Sequence, residues 1–228
     1  MSHYDTNLDK NEANYIPLTP LTFLKRAKDI YPDYEAVIYE DRKYSWTEVY
    51  KRTVKFASAL TKIGVKKGDT VSFLAFNTPE IFEGHYSVPM TGAVLNTINI
   101  RLDAKTIAYI LNHSDAKVLV VDRQLHGEVK KALNTLNKKI IIIDIVDKFA
   151  DQSKCEKIGE FEYESFLNSG DENFHVDKEN NNFKTGFPDF EDYLDSLFGY
   201  EYSPKNYQEN DNETFEDEMI NTNNDEFN

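Results

Sequence analysis

Two hydrophobic periods alternate along the first 170 residues of the chain. Thr19 and Pro20 open "LTPLTFLKRAKDIYPD" as N-cap and first turn, and the stretch reads as a helix that stops near Tyr31-Pro32. "EAVIYEDRKYSW" then predicts two short strands around a turn at Asp41-Arg42. Ser45 and Glu48 have the spacing of a capping box, each side chain satisfying the other's free backbone N–H. Behind that box Trp46, Val49, Tyr50, Ala57 and Leu60 recur at helical spacing until Gly64, so one helix face should lie on a sheet. A buried strand "TVSFLAF", a helix from Thr78-Pro79 towards Met90 and a strand "AVLNTIN" follow. Asp103 caps a helix carrying Ile107, Ile110 and Leu111. "KVLVVD" and "KIIIID" are apolar runs separated by one more helical stretch, "QLHGEVKKALNTLN". Strands that are apolar without alternating imply a sheet covered on both faces, hence an α/β fold with a mostly parallel sheet and right-handed crossovers.

This pattern ends at Gly170. Residues 171–228 hold 17 acidic residues, three lysines and 11 asparagines, with few aliphatics, a composition that predicts disorder. They carry the whole net charge of −14, so the preceding residues are balanced. One amphipathic stretch interrupts the tail. Phe190, Tyr193, Leu194, Leu197 and Phe198 share a helical face, with Asp189 as cap and Gly199 as stop, and predict a short helix over 189–199 that docks into a partner's groove.

Composition excludes several function classes. Cys155 is the only cysteine, which leaves no internal disulfide and suits a reducing cytoplasm. The polar opening over residues 1–13 reads as a flexible terminus and not as a signal peptide. The apolar runs, Ile140–Ile143 among them, fall far short of the about 20 residues a membrane-spanning helix needs. An acidic excess disfavours nucleic acid and anionic membranes as partners.

Residue chemistry is sparse. The nine glycines are dispersed and offer no phosphate-cradling cluster. His3, His85, His113, His126 and His175 show no metal-ligand spacing, and His85 reads as an interior histidine of an apolar helix. Cys155 reads as an inert loop thiol. Asn96, Asn99 and Arg101 are the polar cluster worth following, because they come just after a buried strand, at the end where open α/β sheets place ligands. The alternative is that Asn99 and Arg101 tie down a tight strand-to-helix connection.

Taken together, "NYIPLTPLTFLKRA", "SVPMTGAVLNTINIRL" and "LNHSDAKVLVVD", in that order, resemble the opening of the AMP-forming acyl-CoA synthetases, in particular those acting on short- and medium-chain fatty acids. The resemblance covers residues 14–170 and implies an incomplete parallel-sheet layer of the large N-terminal domain of adenylate-forming enzymes. It implies a reaction in which a carboxylate and ATP give an acyl-adenylate, which coenzyme A converts to a thioester, with Mg²⁺ assisting. The family's Ser/Thr/Gly-rich phosphate loop and later motifs have no counterpart in these 228 residues. No catalytic residue and no metal ligand therefore carries over. Asn96, Asn99, Arg101 and Leu102 match a family string that the resemblance places mainly as scaffold near the coenzyme and acyl channels, and Asn96, Asn99 and Arg101 are the cofactor-binding candidates.

Two readings follow. In one, the chain is a truncated or split ligase portion, inactive alone, binding none of its cofactors tightly and needing a complementing chain. In the other, it is a non-catalytic interaction protein that uses the 190–198 apolar face. A regulatory fragment that binds acid or coenzyme A without turnover is a third, and half a pocket should bind weakly.

Overall fold

The computed structural model describes residues 19–174. The described residues begin with helix α1 (Pro20–Ile30), capped by Thr19, and pass into a hairpin of β1 (Glu35–Tyr39) and β2 (Arg42–Ser45). Glu40 makes the tight turn with a positive φ of 52°. Helix α2 (Trp46–Lys62) starts at the Ser45–Glu48 capping box, in which Ser45 N donates to Glu48 at 2.7 Å and Glu48 N to Ser45 Oγ at 3.3 Å. Gly64, at a φ of +88° that disfavours any side chain, turns the chain out of α2.

A five-stranded parallel sheet follows. It holds β3 (Thr70–Leu74), β4 (Val94–Thr97), β5 (Ala116–Asp122), β6 (Ile141–Ile145) and β7 (Phe161–Glu162) in the order β4-β3-β5-β6-β7. Helices α3 (Pro79–Met90), α4 (Ala104–His113) and α5 (His126–Leu133) make the crossovers, and α6 (Tyr163–Asn168) follows β7 directly. The parallel sheet expected from the apolar runs is present, and the register shows why those runs do not alternate. Val118 and Val120 face one core with Phe56, Phe73 and Tyr163, while Leu119 and Val121 face a second with Ile107, Leu111 and Val129. Helices α2, α3 and α6 thus cover one face, and α4 and α5 the other. Packing runs past Gly170, since Asp171 N donates to Ser58 Oγ at 3.0 Å and Phe174 lies against a third cluster of α1, α2 and the hairpin.

One expectation is corrected. His85 lies on the exposed side of α3, and its Nδ1 is 2.8 Å from the Ile81 carbonyl. The helix packs inward through Gly84 and Val88, which leaves position 85 on the outer side. The strand pair β7 and the helix α6 have too few residues to show a period and are additions from the structure. The predicted flexible terminus and the predicted 189–199 helix lie outside the described residues.

Candidate functional site

In an open parallel sheet, ligands bind beyond the carboxyl ends of the strands where successive crossovers leave in opposite directions. Here that point lies between β3 and β5, because α3 carries the chain from β3 outward to β4 and α5 carries it from β5 outward to β6. Several polar side chains converge at this end. Asp122 closes β5 and is fully buried, with Oδ1 accepting from Gln124 N at 2.9 Å and Oδ2 unpartnered among the described residues. Asp147 follows β6, accepts from Phe149 N at 3.0 Å, and receives the Tyr39 hydroxyl from β1 at 2.6 Å. Thr78 and Glu80, at the start of α3, are buried, with Thr78 Oγ1 and Glu80 Oε2 also unpartnered among the described residues.

The electrostatics follow from this crowding. Burial raises the Asp122 carboxyl above its ordinary range, and the neighbouring charges of Asp147 and Glu80 add to the effect. The hydrogen bond to Asp147 and burial push the Tyr39 hydroxyl up to about 12, so it stays a proton donor at neutral pH. The edge therefore presents acceptors, and Arg42 is the cation that balances part of it, donating to Glu80 at 2.7 Å. Beside it runs a mainly apolar cleft of about 710 Å³, lined by Ile38, Tyr39, Asn77, Thr78, Phe82 and Tyr86 among others.

A second polar network lies behind the sheet end. The Arg52 guanidinium from α2 pairs with Glu83 of α3 and donates to Glu164 of α6 at 2.6 and 3.0 Å. Tyr163 donates its hydroxyl to Glu83 at 2.9 Å. Burial pushes the Glu83 carboxyl up to about 7, against the opposing pull of Arg52 and of the Tyr163 hydroxyl. This network ties three helices together, with Glu83 buried and Glu164 at its solvent side, so its role is to hold α3, and with it Thr78 and Glu80, in place.

The residues singled out from sequence lie elsewhere. Asn96 is inside the edge strand β4, where its amide donates to Ser72 Oγ at 3.0 Å and Ser114 Oγ at 3.3 Å. Asn99 Oδ1 accepts from Arg101 N at 2.9 Å, which shapes the connection into α4. Arg101 is exposed, and its guanidinium has no hydrogen-bond or ion-pair partner among the described residues. These three residues therefore cluster along the edge strand, one strand away from the crevice. The sequence did carry a signal for Asp122, since an aspartate ends that apolar run, but the aspartate that ends the second run is Asp144, which pairs with Arg123, and nothing local shows that Asp122, Asp147 and Tyr39 meet. Cys155 is half-buried with Sγ 3.4 Å from the Asp151 carbonyl. Among the described residues no three His, Cys, Asp or Glu side chains come together to hold a metal ion, and no helix is long and apolar enough to cross a membrane.

A parallel sheet with this strand order and crevice is an open α/β framework, and comparison with known proteins makes its family specific. Residues 24–183 match the AMP-binding enzyme family, and the chain belongs to it. It is 42% identical over 178 residues to an acetate–CoA ligase of Humulus lupulus, across 74% of this chain and 31% of that protein. A peroxisomal butyrate–CoA ligase of Arabidopsis thaliana is 41% identical over 172 residues, across 72% of this chain and 29% of that protein. The chain thus spans about a third of the length of the curated relatives it matches. Among solved structures, the anthranilate CoA ligase AuaEII in complex with anthranoyl-AMP superposes with a TM-score of 0.64 at 18% identity, over 72% of this chain and 30% of that one. That likeness establishes the fold, an incomplete layer of the adenylate-forming domain.

Proposed function

We propose that the chain supplies the opening wall of an ATP-dependent, AMP-forming ligase that joins a short- or medium-chain fatty acid to coenzyme A. The observation that carries this reading is the 42% identity to an acetate–CoA ligase across 74% of this chain, a stretch that includes the strands on either side of the β3–β5 crevice. In this reading the wall holds and orients, and the phosphate-binding groups come from a complementing polypeptide. Mg²⁺ would neutralise phosphate charge in the complete enzyme. The described residues do not form a cluster fit to hold it, and in this reading its ligands belong to the complementing polypeptide. Arg101, exposed at the end of the edge strand, is the group this chain offers to an anion, and the coenzyme's phosphates suit a guanidinium. Asn96 and Asn99 support that position through the contacts described above.

The isolated chain binds ATP and coenzyme A weakly and forms no acyl-adenylate, because a site that buries only part of a ligand retains little of its affinity. The single cysteine supports a reducing compartment, and the cytoplasm is the one proposed.

The test is acid-dependent pyrophosphate release from ATP, followed by thioester formation. The purified chain alone should give neither. Mixed with a recombinant polypeptide comprising the part of an acetate–CoA ligase that follows its match to this chain, it should give both. In that mixture Arg101→Ala should raise the KM for coenzyme A about tenfold, the equivalent of about 1.4 kcal/mol, and leave pyrophosphate release unchanged. Adenylate formation by the chain alone would overturn the inactivity, and inactivity of the mixture would overturn the ligase reading.

A further inference from the structure

The β1–β2 hairpin is a sheet of only two strands, and such a pair is marginal unless more is added to it. Cluster packing through Ala36, Val37 and Tyr44 supports one side of it. Among the described residues no strand pairs with the other edge of β1. Tyr39 and Arg42 flank the two-residue turn and form the first pair of the ladder. Pairs alternate in an antiparallel ladder, so the next pair, Ile38 and Lys43, is the one whose main-chain groups point away from the partner strand. Ile38 thus directs its N–H and C=O along the free edge, and its side chain is 62% exposed.

That edge borders the cleft of about 710 Å³, whose opposite wall is the outer surface of α3 with Phe82 and Tyr86. At one end stands Thr78, 4% exposed, with its hydroxyl unpartnered. Unpaired strand edge, apolar walls and an unsatisfied hydroxyl at one end are what an extended peptide fills when it adds to a sheet. The length of the relatives indicates where such a peptide comes from. The match occupies 31% of the acetate–CoA ligase, so two thirds of such an enzyme remains to pack against this layer.

We infer that the free edge of β1 and the cleft beside it receive an extended segment of the complementing ligase polypeptide, which pairs with Ile38 and places an apolar side chain between the hairpin and α3. This inference rests on the ligase reading above. It assigns to the hairpin the task of joining the two parts, whereas the sheet's β3–β5 crevice serves the ligand.

Hydrogen exchange on the full 228-residue chain tests it, alone and with the same acetate–CoA ligase polypeptide used above. The Ile38 amide should exchange at least tenfold more slowly in the mixture. Ile38→Pro, which removes the outward N–H and keeps the ladder bonds to β2, should weaken the complex at least tenfold while the fluorescence of Trp46 in the free chain is unchanged. A complex that forms with the Ile38 amide unprotected overturns the docking and leaves the ligase reading standing. Absence of any complex overturns both. Protection that grows with the concentration of the chain alone assigns the edge to a second copy and overturns the proposal.

Discussion

Replacing Arg52 by methionine isolates the energetic weight of the buried network behind the sheet. In the native protein the Glu83 side chain is 1% exposed and the Arg52 side chain 15% exposed, so water screens the pair little. The Glu83 carboxyl is raised by burial to about 7 from an ordinary value of 4.5. A raised carboxyl contributes stability that is fully present below its unfolded value and lost as pH rises through the folded one. In the native protein that loss sets in near pH 4.5 and is complete a little above pH 7. Without Arg52 the folded value rises further, because the favourable charge is gone while burial stays. Below about pH 6 Glu83 is protonated in both proteins, and the substitution should cost only the lost hydrogen bonds, about 1–3 kcal/mol. Above pH 7 the native carboxylate ionises against Arg52 while the variant's stays protonated, and the difference should grow by about 1.4 kcal/mol per pH unit. Near pH 8 to 9 the total should reach the about 3–5 kcal/mol typical of a broken buried pair. Contacts of Arg52 with Glu164, whose side chain is 45% exposed, add little to this. Urea unfolding followed through Trp46, the single tryptophan, measures the cost at each pH. A cost equal at pH 6 and pH 9 would refute the coupling.

Two further substitutions probe the fold that carries the crevice. Gly84→Ala would place a Cβ 2.7 Å from Cζ of the fully buried Phe73, and should destabilise by about 1–2 kcal/mol in thermal unfolding, overpacking outweighing the gain in helix propensity. Ser45→Ala removes one half of the α2 capping box and should cost about 0.5–2 kcal/mol, whereas Ser45→Asp, which keeps an acceptor, should restore most of it in the same urea titration.

The helices and strands from α1 to β6 were legible in the sequence because each is set by neighbours along the chain, whereas β7 and α6 are too short to announce themselves. A capping box acts over three residues, and a buried strand shows itself as an unbroken apolar run such as Val118–Val121. The family was legible for the same reason, since its motifs are short strings in fixed order. What could not be read was distance in space. Nothing near Asp122 in the chain announces Tyr39 or Glu80, and nothing near Arg52 announces Glu164, 112 positions away. Asn96, Asn99 and Arg101 drew attention because they follow a strand, yet strand order places that strand at the sheet's edge and puts the crevice between β3 and β5. His85 was misjudged because a helix in an apolar sequence still has an outer side, and only packing against Phe73 shows which side that is. Sequence alone thus determined the elements and their kinship. Tertiary structure decided which carboxylates share an edge, because burial and charge act through space between groups that the chain keeps far apart.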